Sequence, residues 1–480
     1  MAAEPGIHQD RTPDPDRTPD PAEAGSAGSA DEEGGGRHPV DEILSPWKMI
    51  TSGLQHVAAM YAGVVAVPLV IGAAAGLDTG DTTLLMAASL FTAGIATLLQ
   101  TLGVWKIGAR LPFVNGVSFC GVAAMTAIIA AEGGAAGLPV IFGAVIVAGL
   151  LGFLISPFFC RLVRFFPPVV TGSVIALIGL SLLPVALGWV TDGSAEGEGA
   201  SGKSVALAAI TLAVTIGLNR FGRGFVKSVS ILLGLVVGTL VAIPMGMTEF
   251  TGLGDADLIG FPTPFHFGAP QFSLPAIVSM CIVMLVIMTE STADVIALGR
   301  IVGRPADEKT IAAGLRADTL GSAIAPFFNG FAASAFAQNI GLVAMTRVRS
   351  RFVVAVAGAF MVVLGLCPLA AALISAVPLP VLGGVGIVLF STIAVSGVQT
   401  LAQADLGKTS NSLIAAVTLG VGLVPEMAHG FYSQFPDELT IILDSGISTG
   451  CVLAVLLNLL FHHVGRRTQE EEAPEPAVAH

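Results

Sequence analysis

Charged residues are scarce in this chain of 480 residues. Asp, Glu, Lys and Arg together make up 12% of it, whereas 54% of the residues are hydrophobic and the mean hydropathy is +0.83. Soluble domains carry about 25% charged residues, so a soluble globular protein is excluded. The apolar residues form continuous runs of helical membrane-spanning length, without the alternation typical of barrel strands. The sequence therefore predicts an all-α polytopic membrane protein.

Closely spaced cysteines and basic clusters are also missing. The five cysteines are Cys120, Cys160, Cys281, Cys367 and Cys451. No pair has the spacing of metal ligands, and we interpret them as small core residues rather than a disulfide framework. No metal or cofactor is expected. The formal net charge of −12 falls mostly in tails and outer loops, and without a basic patch nucleic acid is not an expected partner.

Both ends of the chain differ in composition from the apolar middle. Residues 1–44 are rich in Pro, Gly, Asp and Glu and contain RTPDP twice. Such a segment buries too little apolar surface to fold, and it lacks the basic-then-apolar pattern of a signal peptide. We expect a disordered acidic cytoplasmic tail over 1–44 and a second cytoplasmic tail over 463–480.

Fourteen hydrophobic segments lie between the tails. Their approximate bounds are 49–74, 83–105, 112–131, 138–158, 169–190, 203–219, 226–248, 274–298, 311–329, 334–346, 352–376, 379–399, 410–425 and 438–461. With both termini inside, the inner loops hold 18 basic residues and the outer loops hold one. Because positive loops stay on the cytoplasmic side, this asymmetry predicts an even number of spans, with both termini cytoplasmic.

Two of these segments are short and interrupted. The third begins RLPFVNGVSF and the tenth begins AASAFAQNIG, and each carries an Asn followed by a Gly. Seven segments separate them, which is half of the total. Matching interrupted segments in two halves of a transporter indicate an inverted repeat with a binding site at its interface.

Several polar side chains fall inside the apolar runs. Glu290 lies near the middle of segment eight, where a carboxylate is costly and usually functional. Asp318 lies in segment nine, either as an acid near a helix N-terminus or in proton coupling. His56, in segment one, is either a satisfied core histidine or a partner that orients Glu290 or Asp318.

Gln338 and Asn339 stand side by side in segment ten. Amides inside a membrane span can join helices by hydrogen bonds. Here they adjoin a glycine break, and an amide presents both a donor and an acceptor, as the edges of a planar heterocycle do. Phe119 and Phe336 lie within the two interrupted stretches and are candidates for stacking on a flat ring.

These stretches together resemble one family. The similar blocks are GLQHVAAMYAGVVAVPLVIG at 53–72, RLPFVNGVSF at 110–119, MTESTADVIALG at 288–299, GLRADTLGS at 314–322 and QNIGLVAMTR at 338–347. They are similar, in order, to blocks of the nucleobase–ascorbate transporter family, also called nucleobase/cation symporters. The resemblance covers about residues 46–462, and the tails fall outside it.

The resemblance implies two inverted sets of seven segments, divided between a core domain and a gate domain, with short β-strands in segments 3 and 10. It also implies a homodimer in the plasma (inner) membrane. The implied core domain comprises 45–158 (segments 1–4) and 271–376 (segments 8–11), and the gate domain comprises 159–270 (segments 5–7) and 377–462 (segments 12–14).

The resemblance also implies roles for individual residues. Glu290 and Gln338 would bind opposite edges of a purine, and Asn339 would support the geometry of the site. Asn115 falls where members tune purine specificity. Asp318 and His56, together with Glu290, would couple transport to protons, with sodium the less expected ion.

QNIGLVAMTR at 338–347 is similar to the signature motif of the family, and Gln at its first position, here Gln338, is typical of xanthine and urate carriers. The resemblance therefore implies proton-coupled uptake of xanthine or uric acid by alternating access, and it does not choose between the two purines. Four alternatives stay open: another nucleobase such as uracil, an anion exchanger on the related fold of seven plus seven segments, a membrane enzyme, and a receptor on this scaffold that does not transport. The absence of mid-span Lys or Arg weighs against the exchanger, and the scattered histidines weigh against the enzyme.

Overall fold

The computed structural model describes residues 38–191, 200–248, 260–375, 377–428 and 430–462. The predicted tail over 463–480 and most of the predicted tail over 1–44 lie outside these ranges.

The described residues form twenty α-helices in chain order. They are α1 (Pro46–Ala74), α2 (Thr79–Leu102), α3 (Val122–Glu132), α4 (Gly137–Ile155), α5 (Phe159–Leu162), α6 (Pro168–Ser181), α7 (Leu183–Val190), α8 (Gly202–Phe221), α9 (Phe225–Ser228), α10 (Ser230–Ala242), α11 (Leu274–Val302), α12 (Glu308–Ile324), α13 (Ala337–Thr346), α14 (Arg351–Gly365), α15 (Pro368–Ser375), α16 (Leu379–Leu401), α17 (Thr409–Gly422), α18 (Val424–Met427), α19 (Asp437–Leu443) and α20 (Gly446–His462).

Each of the fourteen predicted segments overlaps one or more of these helices. By length and composition, seven helical stretches of the described chain are long and apolar enough to cross a membrane. They begin at residues 46, 79, 137, 168, 202, 274 and 379. Shorter apolar helices of 10–17 residues, such as α10, α14, α17 and α20, occupy other predicted segments. The molecule is thus a mostly helical protein of the membrane type.

Two short strands interrupt the helical architecture. β1 (Asn115–Val117) and β2 (Ala333–Ala335) pair antiparallel, with Asn115 opposite Ala335 and Val117 opposite Ala333. They lie in predicted segments three and ten, and all six of their residues are buried. Non-helical backbone is tolerated at this depth because it is buried in protein and paired across the two halves of the chain.

Local sequence signals set the ends of the helices that carry the polar residues. α11 has Pro275 in its first turn and ends at Gly303 in the left-handed conformation, as glycine allows. Asp307 caps α12 by accepting a hydrogen bond from the backbone N–H of Thr310 at 2.8 Å. Asp318 is well inside α12, so the alternative of an acid near a helix N-terminus is wrong.

The end of the predicted N-terminal tail is ordered, contrary to the expectation that disorder extends through residue 44. Pro39–Asp41 form one turn of 3₁₀-helix, and Val40 is fully buried. Asp41 accepts hydrogen bonds from Arg351 at 2.6 Å and Arg304 at 3.1 Å. Composition alone misplaced this boundary because the ion pairs join residues that are far apart in the sequence.

Candidate functional site

A cavity of about 270 Å³ lies beside the two strands. One wall comes from β2, the turn that follows β1, α11 and the start of α13, and the opposite wall comes from α6 and α16. Four of the residues predicted to bind substrate line this cavity: Glu290, Gln338, Phe119 and Phe336. The structure therefore brings together an acid, an amide and two aromatic rings from three predicted segments.

Glu290 lies on α11 and is half-buried at the cavity wall. The thiol of Cys120 donates a hydrogen bond to its Oε2 atom at 3.4 Å. The sequence interpretation treated Cys120 as a core residue, and its contact with Glu290 was not anticipated. No Lys or Arg among the described residues forms an ion pair with Glu290. Its carboxylate is thus available to accept hydrogen bonds from a ligand in the cavity.

The paired strands place Gln338 and both rings at the cavity. Beyond the strands themselves, the Phe336 N–H donates to the Val114 carbonyl at 3.1 Å and the Ser118 N–H donates to the Ala332 carbonyl at 2.8 Å. Residues 119–121 then begin a short 3₁₀ turn that leads into α3. On the other strand, α13 begins at Ala337. Gln338 therefore lies in the first turn of a helix that starts directly at the cavity.

Two glycines make room for the ring of Phe336. A Cβ atom on Gly116 would lie 2.2 Å from Cε2 of this ring, and a Cβ on Gly63 would lie 2.7 Å from Cε1. Atoms at these separations overlap, so both positions need glycine for the ring to remain where it is. The Phe119 and Phe336 rings have centroids 6.4 Å apart at 42°. This geometry leaves ring surface facing the cavity, where apolar lining suits a flat ligand.

Asp318 lies behind the cavity wall in a buried polar network. The side-chain amides of Asn115 and Gln100 both donate to its Oδ1 atom, the latter at 3.1 Å. Thr97 Oγ1 accepts from the Asn115 N–H at 3.0 Å and donates to the Asn115 carbonyl at 3.1 Å. All four residues are fully buried. Asn115 therefore does not line the cavity, and in this structure it positions Asp318.

His56 and Asn339 form a second buried pair. Asn339 Nδ2 and His56 Nδ1 are 2.8 Å apart, so the amide donates and the imidazole accepts at that nitrogen. Both side chains are about 1% exposed. The expectation that His56 hydrogen-bonds Glu290 or Asp318 finds no support among the described contacts. Asn339, like Asn115, supports the site from behind instead of lining it.

Three carboxyl groups lie on α11 and α12 without a cation, those of Glu290 and Asp294 half-buried and that of Asp318 fully buried. Asp294 follows Glu290 by one turn of α11, and its Oδ2 atom is buried with no hydrogen-bond partner, as is Oδ2 of Asp318. No ion pair to any of the three acids occurs within the described part of the chain. A buried charge without a cationic partner is costly, so these three acids are unusual groups for the interior of an apolar protein. The described residues also contain no group of His, Cys, Asp or Glu able to hold a metal ion.

Sequence reasoning missed the second wall of the cavity. α16 contributes Thr392, Ser396 and Gln399, which follow one another at intervals of four and three and so share one face of the helix. All three side chains are exposed. The spacing of polar residues in an otherwise apolar helix was the available signal. α6 adds Ile175 and Ile178 to the same wall.

α6 and α16 are packed backbone against backbone. A Cβ atom on Gly397 would lie 2.1 Å from the Ala176 nitrogen, and one on Gly179 would lie 2.2 Å from the Ala394 nitrogen. Contacts this close require glycine in both helices. The second wall is therefore built on a tightly joined helix pair, from which the polar face of α16 projects into the cavity.

Comparisons with known proteins identify the family of this chain. Residues 47–429 match the sequence model of the Permease family known as Xan_ur_permease. The chain is 42% identical over 420 residues to the uric acid permease PucJ of Bacillus subtilis, covering 86% of this chain and 93% of that protein. It is 38% identical over 430 residues to a xanthine permease of the same organism, covering 90% and 97%.

Solved structures share the fold at low sequence identity. The transmembrane domain of the cyanobacterial bicarbonate transporter BicA superposes with a TM-score of 0.54 and 16% identity, covering 88% of this chain and 98% of that one. This likeness concerns the fold alone. The family match and the identities with curated permeases concern the sequence, and on those grounds the chain belongs to the nucleobase–ascorbate transporter family and is a transporter rather than an enzyme.

Proposed function

We propose that this protein takes up a purine nucleobase, xanthine or uric acid, across the plasma membrane by alternating access coupled to protons. The observation that carries the proposal is the cavity, in which Glu290, Gln338 and two phenylalanine rings meet in a chain related to uric acid and xanthine permeases. A purine is flat and bears N–H and C=O groups on its edges, which matches these lining groups.

The proposed roles follow from where each side chain lies. Glu290 accepts hydrogen bonds from purine N–H groups, Gln338 bonds the opposite edge, and Phe119 and Phe336 flank the ring. Asn115 and Asn339 lie behind the wall, so their proposed influence on specificity acts through the strands and through the residues that they hold.

The proposed coupling ion is the proton, with Glu290, Asp318 and His56 as the groups involved. Protonation neutralises buried carboxylates that have no cationic partner, and substrate binding then completes the site. Sodium is disfavoured because it would require a cage of several oxygen ligands. Each charge moved across the membrane is worth about 2.3 kcal/mol per 100 mV, so the cycle would respond to membrane potential.

The proposed architecture has fourteen segments in two inverted repeats of seven. Core segments fall in 45–158 and 271–376, gate segments fall in 159–270 and 377–462, and both termini are cytoplasmic. In this division the first wall of the cavity belongs to the core and the α6–α16 wall belongs to the gate. Movement of one against the other would expose the cavity to alternate sides. We further propose a homodimer.

Two alternatives to a purine substrate can be distinguished by experiment. Another nucleobase, such as uracil, would use the same site. An anion exchanger is suggested by the fold shared with a bicarbonate transporter, but a cationic site would then be expected, and no Lys or Arg of the described part of the chain lines this cavity.

Uptake of labelled compounds in a transport-deficient host tests the proposal. We expect accumulation of xanthine or urate that a protonophore abolishes, with little uptake of uracil, ascorbate or bicarbonate. Uptake of uracil alone would select the alternative nucleobase. Uptake of purines unaffected by the protonophore would contradict proton coupling but leave the substrate assignment standing.

A further inference from the structure

A second pocket, of about 650 Å³, lies away from the substrate cavity, where α2 and α4 end and α12 begins. Five cations line this basic pocket: Lys106, Arg110, Arg304, Lys309 and Arg316. The two pockets share no lining residue. The basic pocket is therefore a separate feature that the proposed transport reaction does not use.

The acids in the basic pocket do not balance its cations. Only Asp307 and Glu308 line it, against five basic residues. Asp307 accepts hydrogen bonds from the Thr310 hydroxyl at 2.6 Å and the Thr310 N–H at 2.8 Å. These bonds lower the pKa of Asp307, so it stays ionised as the cap of α12.

The cations divide into those already engaged and those available. Arg304 pairs with Asp41, and Arg316 donates to the Lys106 carbonyl at 3.2 Å. Neither Lys106 nor Arg110 forms an ion pair among the described residues. The basic pocket thus combines an excess of positive charge with cations that are free to bind an anion.

The rim of the basic pocket is an apolar turn held in a fixed conformation. Val104 and Ile107 exchange backbone hydrogen bonds of 2.9 and 3.0 Å, which project Trp105 outward with 82% of its surface exposed. The φ angle of Trp105 is +54°, an unfavourable value for such a residue that persists only where surrounding contacts impose it.

Hydrogen bonds from the rest of the fold impose this conformation. The Gly108 N–H donates to the Ala313 carbonyl at 2.7 Å, and the Ala109 N–H donates to Gln100 Oε1 at 3.0 Å. Lys106 Nζ lies 5.3 Å from the centroid of the Trp105 ring. An exposed tryptophan next to a lysine at the end of a spanning helix is typical of the level of the lipid headgroups.

We propose that the basic pocket binds the phosphate headgroup of an anionic phospholipid of the inner leaflet. Arg110, Lys106 and Lys309 would contact the phosphate, and Trp105 and Val104 would lie at the boundary with the acyl chains. Basic pockets between helices on the cytoplasmic side of membrane proteins bind such headgroups. The inference rests on the proposed topology, in which this end of the bundle faces the cytoplasm.

Native mass spectrometry of the purified full chain tests this site. Phosphatidylglycerol and phosphatidylethanolamine are added in equal amounts, and the lipid retained by the protein is counted. We expect the wild type to retain the anionic lipid preferentially. Replacing Arg110 and Lys309 together by Ala should reduce that preference by roughly tenfold or more, since each cation near an anionic surface contributes to binding.

The matched control replaces Arg223 and Lys227 by Ala, which removes the same charge from exposed positions between α8 and α10. This control should retain the lipid like the wild type. Equal loss in both variants, or no loss in either, would overturn the proposal. Displacement of the lipid by inorganic phosphate would assign the basic pocket to a soluble phosphate compound and overturn the lipid assignment. Elution profile and melting temperature verify that each variant is folded, and uptake is not the readout, so the result is independent of the proposed substrate.

Discussion

The two walls of the cavity beside the strands are constructed differently. On the wall formed by the strands, α11 and α13, the polar side chains behind the surface are fully buried and bonded to one another, as Asp318 is to Asn115 and Gln100. On the α16 wall the polar side chains are exposed, and Gln399 makes no side-chain hydrogen bond with described residues. Behind that wall lies close backbone packing between α6 and α16 instead of a polar network.

This difference indicates that substitutions on the two walls will affect the stability of the protein to different extents. A buried, mutually bonded network holds each group in one orientation, and removing one member leaves another unsatisfied at a cost of about 1–3 kcal/mol. Removing an exposed side chain leaves no buried group unsatisfied, so it should have little effect on the stability of the fold. We therefore expect strong effects from changes on the first wall and graded effects from changes on the second.

The largest effect is expected from Glu290→Gln. The substitution keeps the volume but removes the charge, so two charge-assisted hydrogen bonds of about 1.5–3 kcal/mol each would be weakened or lost. Uptake of labelled xanthine should fall by roughly a hundredfold or more. Glu132→Gln, at the exposed end of α3, is the control and should transport normally. Accumulation against a gradient by the Glu290 variant would reject the assigned role.

The buried network predicts the next largest effect, from Gln100→Leu. Without the amide, Asp318 Oδ1 loses one donor and the Ala109 N–H loses its acceptor. We expect a loss of about 1–3 kcal/mol in stability and a lower maximal rate of uptake with altered pH dependence. Thermal unfolding measures the loss of stability, and uptake across a pH series measures the rate and its pH dependence. Gln399→Leu removes the same side chain from the other wall, and an equal loss of stability there would remove the distinction between the walls.

The packing of Phe336 predicts an intermediate effect for Gly116→Ala. The new methyl group would overlap the ring at 2.2 Å, so the ring must move, at a cost of typically about 1–3 kcal/mol. Weaker substrate affinity should accompany lower stability. Gly341→Ala is a sharp control, because a Cβ there meets nothing within 4 Å. If Gly341→Ala were the more harmful change, steric overlap with a neighbouring side chain would not explain the need for glycine at these positions.

The smallest effect is expected from Ser396→Ala and Gln399→Ala on α16. Neither side chain has a described hydrogen-bond partner, so stability should change by less than about 0.5 kcal/mol. If the α16 face contacts substrate in transit, the concentration for half-maximal uptake should rise a few-fold while folding is unaffected. Competition among xanthine, urate and uracil measures any change in selectivity. An unchanged profile in both variants would leave the second wall without a role in recognition.

Local patterns in the sequence located the helices and the polar residues within them. Continuous apolar runs coincide with helices, and Glu290, Gln338 and the two phenylalanines meet at one cavity. The partner of each buried polar group could not be predicted. His56 bonds Asn339 rather than an acid, and Gln100 bonds Asp318 from 218 positions away. Such pairings depend on how helices cross, which no local periodicity encodes.

The α16 wall escaped prediction for a related reason. The spacing of Thr392, Ser396 and Gln399 indicates a polar face on α16, but only the position of α16 in the fold shows that this face lines the cavity. The ordered Pro39–Asp41 turn was likewise hidden, because its composition is that of a tail and its ion pairs reach Arg304 and Arg351. In both cases the structure depends on contacts between residues far apart in the sequence, and local composition does not reveal those contacts.

The pairing of β1 with β2 has a consequence for how the protein is made. Asn115 bonds Asp318, which is 203 positions later in the chain, and β1 pairs with a strand still further on. While the ribosome is synthesising the middle of the protein, Asn115–Val117 have no strand to pair with, and unpaired backbone in hydrocarbon is expensive. The helices that precede β1 therefore cannot reach their final packing until β2 has been synthesised and inserted. The cavity cannot be complete before α16 has been made, because Gln399 is the last residue that lines it, and we expect nascent chains that end before β2 to be less resistant to proteolysis than the full chain.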